Sequence, residues 1–237
     1  MKRAWLGLIF YLVGALLAGT LLALSTWADF EGSLFDGGLP ADARLPTLRC
    51  PLVLTQRGDA QISARFVNET ERPLRRRIHV SISDGFVSLP RSVDEDITVA
   101  PGESVRLAWP ITPTDVVWGR FVLARVYVNR IYPLPSMTNA CGVLYVDTAL
   151  LTGGQFTGLA LAVILACLGG GAWLWRGGQT KHRRARSLSS ALGALGVVLV
   201  LGLAAMLLEL WIVAAALLLV AVLLVVVLVV WLLEGGG

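Results

Sequence analysis

Three stretches nearly free of charge, residues 4–28, 154–175 and 189–233, constrain this chain more than anything else in it. Charge-free apolar runs of about 20 residues match the thickness of a bilayer's hydrocarbon core. The chain is therefore expected to be a multi-pass membrane protein. Its 56% apolar and 15% charged residues follow from these runs. The first run begins after Lys2 and Arg3, as a signal peptide would. Its apolar core, however, exceeds the roughly 7–15 residues of a signal peptide, so residues 1–28 read as an anchor helix.

The last run needs a break. As one helix, 188–233 would reach about 65 Å, roughly twice the hydrocarbon core. Glu209-Leu210-Trp211 is its polar interruption, so a helical hairpin over 189–233 is expected to turn there. That makes four transmembrane helices. The segment 176–188 carries Arg176, Lys181, Arg183, Arg184 and Arg186 without an acid, and Trp173 and Trp175 stand before it. Basic flanks face the cytoplasm, which predicts cytoplasmic termini and an outward-facing 50–148. The expected location is a bacterial inner (plasma) membrane.

The net charge of +4 belongs to the span flanks. Between Trp27 and Gly154 there are 13 Arg against 14 acids, so nucleic acid is not an expected partner. Residues 29–49 read as a Gly/Pro-punctuated linker. An equal reading rests Phe30, Leu34 and Phe35 in the interface while Asp29, Glu31 and Asp36 stay in water.

Residues 50–148 alternate. Ile62, Ala64 and Phe66 share one face of a strand over 60–67. Leu74, Arg76, Ile78, Val80 and Ile82 lie opposite Arg75, Arg77, His79, Ser81 and Ser83. Further strands are expected at 52–56, 86–89, 97–100, 104–109, 121–128 and 143–147. Short alternating strands separated by turn residues indicate an antiparallel sandwich. Asn68-Glu69-Thr70, followed by Ile97-Thr98-Val99-Ala100-Pro101-Gly102-Glu103-Ser104-Val105, resembles bacterial Ig-like modules of the CARDB kind. The likeness covers residues 52–147 and implies a fold and a style of binding, not a ligand. The expected class is a membrane α + β protein, with an extracytoplasmic Ig-like antiparallel β-sandwich inserted between helices 1 and 2.

Cys50 and Cys141 bracket this module, and an oxidising compartment would join them. The competing reading is two separate thiols, one of them binding metal. Cys167, inside the second span, reads as a packing residue. A cupredoxin copper centre needs two His and a Cys. The module offers His79 with Met137 and Cys141, while His182 lies across the membrane, so His79 reads as an exposed strand residue. No span contains a haem-ligating histidine, C-x-x-C-H is absent, and no phosphate loop or nucleophile elbow is present. Asp94, Glu95 and Asp96 read as a solvated loop rather than a calcium site. No cofactor, metal or catalytic set is expected.

What remains are contact residues. Arg72, Arg75 and Arg77 would meet headgroups or an acidic partner, or would guard an edge strand. Arg76, on the apolar side, needs a partner or an edge. Trp118, Tyr127 and Tyr132 are candidate exposed aromatics. Ala15/Gly19, Gly154/Gly158 and Gly193/Gly196 are small-residue faces suited to helix packing. The spans lack the buried ionisable groups of transporters. The chain therefore reads as a non-catalytic accessory subunit of a larger membrane complex, with a respiratory or photosynthetic host the first to try. It would contact membrane-protein subunits, lipids and a soluble extracytoplasmic protein. The alternative is a membrane-anchored adhesion receptor for a glycan, peptide or envelope polymer.

Overall fold

A computed structural model describes residues 2–38, 40–58, 60–132, 134–177 and 183–234. The chain divides into two compact units. One holds residues 1–26 and 158–237, the other residues 27–157. Among the described residues four helices, α1 (Lys2–Leu34), α2 (Gly153–Gly177), α3 (Arg183–Leu207) and α4 (Trp211–Glu234), are long and apolar enough to cross a membrane. The expected turn falls at Leu208–Leu210, where Glu209 takes a left-handed φ of 60°. Within the basic segment 176–188, residues 178–182 and the side chains of 176 and 183–188 lie outside the described residues.

The helical unit is packed by close backbone approach. A Cβ on Gly7 would stand 2.6 Å from the Trp175 nitrogen, and one on Gly171 would stand 2.5 Å from the Tyr11 nitrogen. Gly14 lies equally tight against Cys167. Gly7 and Gly14 are two turns apart on α1, so they present one face to α2. Of the expected small-residue positions, Gly196 packs against the Tyr11 hydroxyl, while a Cβ built on Gly19, Gly154, Gly158 or Gly193 meets no atom of another described residue within 4 Å.

Between α1 and α2 the described residues form eight strands: β1 (Ala43–Arg44), β2 (Val53–Thr55), β3 (Ala60–Val67), β4 (Leu74–Asp84), β5 (Phe86–Val99), β6 (Ser104–Ile111), β7 (Phe121–Val128) and β8 (Met137–Val146). One sheet runs β1-β8-β7-β4-β5, with β2 also on β8, and β3-β6 forms a second. The strands are not all antiparallel. β1 and β2 both run parallel to β8, at its start and its end. Between the sheets Ile62, Phe66 and Trp109 meet Ile78, Val80, Ile82, Val122, Val126 and Val143. Burial of these apolar faces drives the packing.

Two expected strands, 86–89 and 97–100, are one 14-residue strand, β5. Proline is tolerated on an edge strand or at a bulge. Pro90 has both conditions, because β5 is the sheet edge and the β4–β5 register shifts between Ile82 and Asp84. Asp94, Glu95 and Asp96 therefore belong to a strand rather than a loop. The quoted turns bond to each other: Asn68 accepts from Gly102 N at 2.9 Å and donates to Glu103 O at 3.0 Å. The Asn68 amide also holds the Arg72 and Val99 carbonyls.

The linker expectation for 29–49 is overturned. α1 continues to Leu34, Phe35 is 3% exposed, and Leu45 and Leu48 enter the sandwich core. Ala28 and Phe35 join Val53, Phe121, Leu123 and Leu144 in a second apolar cluster, on the outer face of the larger sheet. Asp29 and Asp36 both bond to the sheet: half-buried Asp29 accepts from Gly142 N at 3.2 Å, and Asp36, still exposed, accepts from Ser81 Oγ at 2.5 Å. The helix comes this close because Gly142 has no side chain. A Cβ there would stand 1.9 Å from the Ala28 carbonyl oxygen. Gly142→Ala should therefore lift the helix end off β8 and destabilise the module by about 3 kcal/mol, read as a lowered unfolding midpoint.

Candidate interaction surfaces

Cys50 and Cys141 are joined by a disulfide across 91 residues, with Cα atoms 6.6 Å apart. It ties the segment ahead of β2 to the middle of β8. Cys167 is a free thiol.

On the helix-covered face, alternation places His79 and Ser81 side by side on β4, with Asp94 opposite on β5. His79 Nδ1 lies 2.8 Å from Asp94 Oδ1, and its Nε2 lies 3.3 Å from Ser81 Oγ. The order Asp–His–Ser is that of a hydrolase triad, but the hydroxyl is engaged elsewhere. Ser81 Oγ donates to Asp36 and the residue is 1% exposed. A hydroxyl bonded to a second carboxylate under a helix end is a latch, not an attacking group. The His79 hydrogen bond holds the Asp94 carboxyl below its ordinary range. Sequence reasoning missed this network because Asp36 lay in the supposed linker. Among the described residues, no three His, Cys, Asp or Glu side chains are grouped to hold a metal.

β4 is not an edge strand, since β5 and β7 flank it. Its first residues carry the basic cluster. Arg75 and Arg77 face solvent, and Arg75 lies 3.7 Å from Asp96. Arg72 is exposed in the preceding turn. Arg76 is 5% exposed and has the partners its position demands, donating at 3.1 Å to the Asn129 and Pro135 carbonyls. Burial pulls its guanidinium pKa below the ordinary value.

The expected aromatics do not form one surface. Trp118 is 58% exposed ahead of β7, Tyr132 is 92% exposed beyond its other end, and Tyr127 is half-buried within it. Eight strand residues separate the first two by roughly 25 Å. Tyr132 belongs with Arg130 and with the start of β4, since Asn129 N donates to Arg77 O at 2.9 Å. Trp118 belongs with the opposite end, since Tyr145 N donates to Arg120 O at 2.6 Å.

In the helical unit, α1, α2 and α3 line a half-open pocket of about 350 Å³, with Leu8, Tyr11, Leu168, Trp175, Leu192 and Gly196 among its walls. The Tyr11 hydroxyl donates to Leu192 O at 2.5 Å. The Trp175 indole N–H is enclosed and has no partner among the described residues.

A comparison with protein-family models gives no match, and neither does one with curated proteins. Among solved structures, a CARDB domain from Pyrococcus furiosus, solved with di-metal ions, is 14% identical. The match covers 43% of this chain and 90% of that domain, with a TM-score of 0.32. A β-glucuronidase from Bacteroides uniformis is 13% identical over 41% of this chain, with a TM-score of 0.31. A β-glucosidase from Listeria innocua is 17% identical over 44%, also at 0.31. The matches span only 12% and 16% of those two enzymes, and no activity carries over from them.

Two measurements check these assignments. Arg76→Met removes the donor to two partly buried carbonyls and should cost about 1–3 kcal/mol, whereas exposed Arg75→Ala should stay within about 0.5 kcal/mol. Replacing both Cys50 and Cys141 by Ala should lower module stability by about 4–5 kcal/mol on the chain-entropy model. The wild-type protein alone should shift mobility on reduction in a denaturing gel.

Proposed function

We propose that this chain is a non-catalytic accessory subunit of a larger membrane assembly, anchored by four spans and presenting its β module outside the cytoplasm. The orientation rests on the basic residues flanking the spans and on the Cys50–Cys141 bridge, which oxidising compartments favour. A bacterial plasma membrane is the compartment we assign.

The observation that carries the reading is how little of the spans their own chain covers. Only 11% of the most apolar 18-residue stretch of α4, and 17% of that of α2, is buried. Gly158, which faces open space, is the kind of residue that lets a neighbouring helix approach closely. Partners would be other membrane subunits and lipids, and the host class we favour is a respiratory or photosynthetic complex. The end of the β module that carries Arg72, Arg75, Arg77, Arg130 and Tyr132 would meet a soluble partner. That same exposed cluster is what favours the second reading, an adhesion receptor for a glycan, peptide or envelope polymer.

Purification from native membranes in mild detergent should yield stoichiometric partners. Gly158→Leu should lose them while keeping the disulfide and a monodisperse profile. A clean monomer at low concentration overturns the subunit reading. Retention of a polymer by wild-type protein, lost on Tyr132→Ala, would install the receptor instead.

A further inference from the structure

The turn that carries Trp118 is locked from below. Val117 O accepts from Arg120 N at 3.1 Å and from Phe121 N at 3.2 Å, and Val117 N donates to Phe121 O at 2.7 Å. Val117 is wholly buried and Phe121 is 4% exposed. Between them Trp118 and Gly119 both sit in the left-handed region, at φ 52° and 64°. Two successive left-handed residues are the pattern of a type I′ turn, where Asn or Gly is favoured. A tryptophan there is sterically penalised. With 58% of its surface exposed, little packing within the module offsets that penalty.

The location says what lies against it. Phe121 pairs with Leu144 on β8, and Leu144 pairs with Val53 on β2. The Val53 carbonyl abuts Gly153, the first residue of α2. The turn is therefore at the end of the sheet where the chain passes into a membrane-crossing helix. Leu150, in that connection, is 80% exposed, and its carbonyl accepts from Arg57 Nη1 at 3.3 Å. Arg57 and Arg120 are both exposed. An indole with one polar edge, an exposed leucine and two guanidinium groups are what the boundary between headgroups and acyl chains accommodates.

We propose that Trp118 and Leu150, flanked by Arg57 and Arg120, form a wedge seated in the phospholipid surface. This rests on the reading that α2 spans a membrane. The partner is the bilayer itself, with the arginines directed to its phosphates.

The test uses the full chain with Cys167→Ala and the disulfide intact, in nanodiscs of phosphatidylcholine and phosphatidylglycerol. An environment-sensitive fluorophore is attached at one site, through Trp118→Cys, Tyr132→Cys or Val225→Cys. Lipids carrying a nitroxide near the headgroup should quench the label at position 118 several-fold more than the label at 132. Nitroxides at the bilayer centre should quench the label at 225. Equal quenching at 118 and 132 with normal quenching at 225 overturns the wedge, and assigns Trp118 to water or a protein partner. Absence of quenching at 225 removes the spanning reading and the wedge with it. Trp118→Gly relieves the left-handed strain, so a merely structural turn would keep its stability and leave a label at Leu150→Cys unchanged. The wedge predicts at least a two-fold loss of shallow quenching at that label.

Discussion

The close approach of Ala28 to Gly142 is the contact on which the β module's arrangement depends. Backbones meet there without side chains between them, so α1 lies directly on the sheet and brings Phe35 into an apolar cluster with Phe121, Leu123 and Leu144. The same seating carries Asp29 to the Gly142 amide, Asp36 to Ser81, and the Phe35 carbonyl to Arg125 Nη1 at 3.0 Å. The larger sheet is thus covered on both faces, by β3 and β6 on one side and by the end of α1 on the other. Segment 27–35 is at once the end of a membrane-length helix and part of the module's packing. A larger residue at 142 would remove the apolar contact and the polar ones together.

The polar groups on that face serve anchorage. His79, Ser81, Asp94 and Asp36 form a chain of hydrogen bonds from the sheet edge to the helix end. The buried Ser81 hydroxyl in it has its partners, as burial demands. Ser83 follows the same rule, donating to Asp115 O and accepting from Leu123 N. The face would read as solvated from its residue types alone, yet Ser81 and Ser83 are among the most buried polar residues described.

Local pattern made much of this legible. Run length marked the membrane-length helices, Glu209 marked the hairpin turn, and alternation separated Ile78, Val80 and Ile82 from Arg75, Arg77 and His79. The placement of Arg76 among apolar neighbours correctly demanded a partner, though its carbonyl acceptors come from a distant loop. What escaped were features settled by tertiary contact. Residues 29–34 carry two acids and a glycine and look like a connector, but helix is retained there because Gly32 and Ala28 pack on β8. Pro90 looks like a strand end, but an edge position and a register shift accommodate it. The separation of Trp118 from Tyr132 was legible, since one strand lies between them. The packing roles of Gly7 and Gly171 were not, because two glycines 164 positions apart signal nothing until the helices are paired.

β8 receives β1, β2 and β7 and carries one half of the disulfide, yet it is the last strand made. Contacts between residues so distant along the chain form slowly, because a long loop must close first. Only six residues separate β8 from α2. The module therefore cannot complete its larger sheet until the next apolar helix is about to leave the ribosome. Assembly of the strands and emergence of α2 are thereby placed in the same interval of biosynthesis.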